Sequence, residues 1–198
     1  SIILADMRVR QERWDEADAL AGQAAAILDS IAPESRTALR VVSLRGEIAA
    51  GRGDLDGALG HFGHVLGRLE AIYGADHSET IGARAMVGRT LFALGDHGGA
   101  AEALSKSARL VERLAEVDAA TAFAARTADV EDQAIARGAI FDGLVKTYAR
   151  LDDEGDEIGY AERAFLVAQR VIESQAAQAL AQMAARQAAG DGALAALA

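Results

Sequence analysis

Small and large apolar residues alternate along this chain at helical spacing, and the alternation repeats. Val42-Ser43-Leu44-Arg45-Gly46 lines up with Arg84-Ala85-Met86-Val87-Gly88, and the match stays in step through the next segment. Gly53 falls on Gly95, Asp54 on Asp96, Ala58 on Ala100 and Phe62 on Leu104, each 42 residues on. Trp14, Ala17 and Ala21 precede Leu55, Ala58 and Phe62 by 41 residues, which gives a third copy whose first helix is cut short at the start of the chain. A period of this length is the mark of an array in which each helix pair buries its apolar face against its neighbours.

The residue types at the matched positions explain the period. Gly46 and Gly88 fall in mid-helix, where glycine costs about 0.5–1 kcal/mol relative to alanine. That cost makes sense if the partner helix crosses too closely for a side chain. Ala58 and Ala100 are the matching small residues, with Phe62 and Leu104 filling the groove between helices. Gly53-Asp54 and Gly95-Asp96 each end one helix with a glycine that tolerates a left-handed backbone and cap the next with an aspartate. Asp76 and Glu79 have the spacing of a capping box.

The pattern predicts helices over 2–11, 14–31, 36–51, 55–73, 78–94, 97–115, 119–136, 138–151 and 157–188, and no sheet. Asp152 to Asp156 reads as an acidic turn in which Gly155 adopts a positive φ. Tyr160, Ala161, Ala164, Phe165 and Ala168 then resume the repeat spacing, with Leu144 and Tyr148 on the helix before. This makes a divergent fourth pair, set off by the extra helix at 119–136. The expected division is a repeat region over 1–115 and a divergent helical region over 116–198.

Composition sharpens this picture. Aromatic residues are only 5% of the chain against 51% hydrophobic, much of it alanine. Stability must then come from many close helix contacts rather than from a thick aromatic core. A single proline, Pro33, leaves long helices uninterrupted. A net charge of −10 speaks against nucleic acid as a partner, and no apolar run is long enough to span a membrane. The absence of cysteine excludes disulfides and thiolate chemistry. It leaves the compartment open, with the cytoplasm favoured. The start at Ser1, without Met or a signal-peptide pattern, reads as an excised piece of a longer protein.

These residues resemble the tetratricopeptide repeat. Val87-Gly88, Leu91, Gly95-Asp96-His97, Ala100 and Leu104 occupy the slots of that family in the best copy. The inter-repeat segment Tyr73 to Thr80 resembles the long, kinesin-light-chain-like form. Arg45 stands in the usual leucine slot of the second copy, and the closing proline of the family is missing. The likeness covers residues 1–115 well and 138–170 loosely. The stretch 164–170, followed by 178–191, is similar to the segment leading into CHAT domains, caspase-like modules of bacteria commonly preceded by such repeats. The resemblance implies a regulatory or substrate-facing array whose catalytic His and Cys lie beyond Ala198.

Candidate chemistry within the chain is sparse. His61 and His64 are three apart on one helix, a spacing that can present two imidazoles to a metal, but no third ligand stands at a fixed spacing. His77 belongs to the inter-repeat loop and helps the cap, and His97 packs. Gly51-Arg52-Gly53 follows no strand and lacks nucleotide-loop spacing. The acidic run from Asp152 to Glu157 lacks the calcium-loop pattern and reads as a solvated turn. Ser105 and Ser107 look like ordinary residues of a helix face. The helix carrying Met183 has too few basic residues for a membrane surface.

No catalytic, cofactor or metal residue is assigned, and the chain is expected not to be an enzyme. The repeat register instead places Asp6, Ser43, Glu47, Arg89 and Phe92 along a concave groove that takes a protein or peptide partner. A downstream CHAT domain is a further expected partner, and open ends of the array would allow weak self-association.

Overall fold

The computed structural model describes residues 2–32, 35–121, 129–155 and 159–169, with the side chains of 114–121 and 129–137 left aside. Its helices are α1 (Ile2–Arg10), α2 (Trp14–Ile31), α3 (Arg36–Gly51), α4 (Leu55–Tyr73), α5 (Ser78–Leu94), α6 (His97–Thr121) and α7 (Asp129–Asp153). Residues 160–169 form one further helix, α8. No strand occurs among the described residues. Consecutive helices pack as antiparallel pairs: α1 with α2, α3 with α4, α5 with α6, and α7 with α8.

The glycines set how closely the helices approach. A Cβ added at Gly46 would lie 2.6 Å from Cε1 of Phe62, and one at Gly88 would lie 2.8 Å from Cγ of Leu104. The two large residues occupy the volume that the glycines vacate, in the two matched repeats. Between the helices of each pair, Gly53 and Gly95 take φ of +83° and +86°. The following aspartates then cap: Asp54 Oδ1 accepts from the Gly57 backbone N–H at 3.0 Å, and Asp96 Oδ1 from that of Gly99 at 2.9 Å. In the truncated copy, Trp14 lies over Gly51, where a Cβ would strike its ring.

The core divides along the array. Ala5, Ala17, Ala21 and Ala24 close over Val41, Leu44 and Ile48 at the first end. Leu39, Val65 and Leu69 form a small middle cluster. Leu104, Leu110, Ile140, Leu144 and Tyr148 anchor the far end. Polar links join successive pairs at the surface: Arg52 reaches Asp15 at 2.6 Å and Asp18 at 2.8 Å, and Arg113 reaches Asp76 at 3.3 Å.

Several expectations are corrected. Neither predicted end of the helix at 119–136 is found: α6 continues through Thr121, and α7 runs without a break from Asp129 across Gly138 to Asp153. The turn that follows begins at Glu154, with Gly155 at φ +80° as expected. In α8, Tyr160, Ala164 and Val167 face the core, while Ala161 and Phe165 point outward. The Asp76–Glu79 capping box is absent, because the N-cap of α5 is His77, whose Nδ1 accepts from the Glu79 backbone N–H at 3.3 Å. Asp76 and Glu79 instead pair with Arg113 and Arg36. Ser107 is fully buried, and Ser105 Oγ hydrogen-bonds to the Tyr148 hydroxyl at 2.7 Å. The predicted helix beyond residue 169, and the Met183 face with it, lies outside the described residues.

Candidate partner-binding groove

Because α3 and α5 are the first helices of neighbouring pairs, a furrow runs between them with α4 behind. Its volume is about 620 Å³. Leu39, Val65 and Leu69 form the apolar floor, and Gly82, Ala83 and Ala85 keep the α5 wall low. Ile2 of α1 closes one end and Ala139 and Ile140 of α7 the other. The furrow exists because this part of α5 is built of residues too small to fill it.

Ser43 and Glu47 on α3 and Arg89 on α5 line this furrow. Asp6 lies at its edge and is committed to ion pairs, with Arg40 at 2.7 Å and Arg10 at 3.2 Å. It therefore acts by holding Arg40, a lining residue, in place. Phe92 is set apart, in an adjoining hollow of about 280 Å³ that Arg89 shares with Asp142 and Lys146. The Phe92 ring packs on His97 at 5.2 Å, and His97 Nδ1 lies 2.5 Å from Oε1 of Glu154.

The charges of the furrow are unequally satisfied. Arg36 pairs with Glu79, and Arg40 with Asp6. Neither Glu47 nor Arg89 has an oppositely charged side chain within ion-pair distance among the described residues. Burial pushes the Glu47 carboxyl above its ordinary value of 4.5. Arg40 pulls it down, Asp6 pushes it up, and Arg10 and Arg89 pull it down, without cancelling the burial. A half-buried, unpaired carboxylate is costly unless something satisfies it. The arrangement offers a ligand two charged side chains beside an apolar floor.

Sequence reasoning missed Arg84. Its side chain is buried, bonds to Glu70 at 2.6 Å and approaches the Ala75 carbonyl at 3.4 Å, so it ties α5 to the end of α4 and the loop after it. Only the abnormality of an arginine at the slot matched by Val42 could have marked it. His61 is half-buried and His64 exposed. No group of three or more potential metal ligands occurs among the described residues. No helix among them is long and apolar enough to cross a membrane.

No protein-family model and no curated protein matches the chain. Solved structures do. BtubC (BKLC) from P. vanneervenii superposes with a TM-score of 0.64 at 14% identity, over 86% of this chain and 62% of that one. The chain thus spans less than two thirds of BtubC. A Podosopora anserina protein with nearly identical TPR-like repeats gives a TM-score of 0.50 at 15% identity over 89% of this chain and 94% of its own. A single-substitution variant of that protein gives 0.50 at 14% identity, over 87% and 94%. These likenesses bear on the fold, which is an all-α, tetratricopeptide-type α-solenoid of antiparallel helix pairs.

Proposed function

We propose that this chain is a non-catalytic protein-interaction scaffold whose furrow between α3 and α5 takes an extended peptide or a helix. The observation that carries this reading is the unpaired Glu47 and Arg89 above an apolar floor. A ligand with an apolar residue flanked by a cation and an anion would satisfy both charges and cover the floor. Charged contacts of this kind set specificity and register, while the buried apolar anchor supplies most of the affinity.

The partner-bearing region is residues 1–115, with 116–198 leading toward a downstream domain of the CHAT type in a larger bacterial protein. The similarity of 164–170 and 178–191 to the segment before such domains supports that context. Peptide sequencing of the native polypeptide tests it: a caspase-like His and Cys beyond Ala198 is the expected result. The groove is tested with peptides selected on this chain from a random displayed library. Replacing Glu47 and Arg89 together by Ala should weaken the selected peptides at least tenfold, with helical circular dichroism unchanged. Equal affinity for the variant would remove the groove assignment.

A second reading makes the array an internal regulator of that downstream peptidase. It draws on Phe165 and Leu166, two large apolar residues exposed on α8. Hydrogen exchange at 164–169 should then be slower in the longer protein than in this chain. Equal rates would remove that reading.

A further inference from the structure

The repeat register makes a statement about the first end of the array. Ala5 corresponds to Gly46, 41 residues on, and so Ile3 corresponds to Leu44 and Met7 to Ile48. Leu44 and Ile48 are 0% and 2% exposed, because the alanines of the preceding pair close over them. Ile3 and Met7 are 79% and 49% exposed, with Leu4 between them also in solvent. The antiparallel course of α1 and α2 brings the end of α2 to the same side, where Ile27 is 59% exposed. Its counterparts are Arg68 one repeat on, half-buried, and Leu110 two repeats on, 6% exposed.

The open face therefore carries the residue types that are buried between pairs elsewhere in this molecule. Ala5, at the corresponding position of close approach, is fully buried on the opposite side of α1, so the outward residues are not needed for the packing of α1 on α2 and α3. A helix end meant for water would carry charge here, as terminal repeats generally do.

We infer that this face is a stacking surface for one more antiparallel helix pair of the same repeat. It would be seated as α1–α2 is seated on α3 and as α3–α4 is seated on α5. The interface inside the molecule supplies the template. The furrow is not involved, so this inference stands or falls apart from the proposed function.

The test extends the full chain. Residues 36–84 are duplicated directly ahead of Ile2, which continues the register because Ile2 corresponds to Ala85 two repeats on. Amide exchange within α1 should slow at least tenfold and the melting temperature should rise. In the extended chain, Ile3→Lys with Met7→Lys should abolish both gains. In the original chain the same two substitutions should leave the melt unchanged, since both sites are exposed. Unchanged exchange in α1, or a graft that adds no helical signal, overturns the inference. So does a dimer of the original chain in sedimentation equilibrium that the two lysines disperse, because the face would then belong to a second copy.

Discussion

A methyl group added at Gly46 and one added at Gly60 should change stability in opposite directions. Both positions are helical, so each alanine gains about 0.5–1 kcal/mol from the lower entropy of its unfolded chain and its better helix propensity. At Gly60 nothing lies within 4 Å of the new Cβ, and Gly60→Ala should stabilise by about that amount. At Gly46 the new Cβ would meet three ring atoms of Phe62 at 2.6–2.9 Å. Overpacking of this kind costs about 1–3 kcal/mol, so Gly46→Ala should destabilise by roughly 1–2 kcal/mol net. Urea melts of the two variants decide it, and a stabilising Gly46→Ala would mean that α3 and α4 are not held together by this contact. Glu47 makes a second residue-scale test. Its folded carboxyl, raised by burial, holds a proton more tightly than the unfolded chain does. Ionising it therefore removes stability as pH rises from about 4.5 through the folded value, and the loss is complete above that value. Glu47→Gln should be indistinguishable from the parent at low pH and more stable than it at neutral pH. A stability difference that does not change with pH would show that Glu47 ionises freely in the furrow.

At the scale of the element, the helices of the repeats were legible because their signals are local. Gly-Asp at 53–54 and 95–96 marks both the stop and the start, and α2 to α5 fall where the pattern puts them. The paired Gly46–Phe62 and Gly88–Leu104 contacts were legible too, since only a close helix crossing accounts for a glycine kept in step with a large residue. The region after residue 115 was not, because no Gly-Asp pair stands between residue 115 and Gly155 to mark where α6 stops and α7 starts, and because alanine-rich segments favour helix everywhere. The predicted break between 136 and 138 falls beside Gly138, yet a lone glycine costs a long helix less than a new pair of ends would, and α7 runs through it. The cap of α5 was misread for a related reason: Asp76 and His77 are both able to cap, and tertiary pairing of Asp76 with Arg113 leaves the position to His77. Of the groove, the register placed Ser43, Glu47 and Arg89 on one furrow. It could not tell that Asp6 is already paired, since its partner Arg40 lies 34 residues away.

At the scale of the whole molecule, stability should be distributed in sections rather than held in one core. The cluster closing over Leu44 joins α1, α2 and α3, while that around Leu104 joins α5 to α8, and a smaller apolar cluster on α3, α4 and α5 lies between them. In such an array each pair is stabilised by its neighbours alone, so damage at one end need not travel to the other. Leu44→Ala removes a fully buried side chain from the first cluster and should cost about 2–5 kcal/mol there. Native-state hydrogen exchange should then show α1 to α3 opening more readily, with the amides of α6 and α7 changed little. The corresponding loss at Leu104→Ala should fall on α5 to α7 and spare α1 and α2. Equal loss of protection in all helices from either variant would mean that the array unfolds as one unit, and that the middle cluster of Leu39, Val65 and Leu69 couples the ends more strongly than its size suggests.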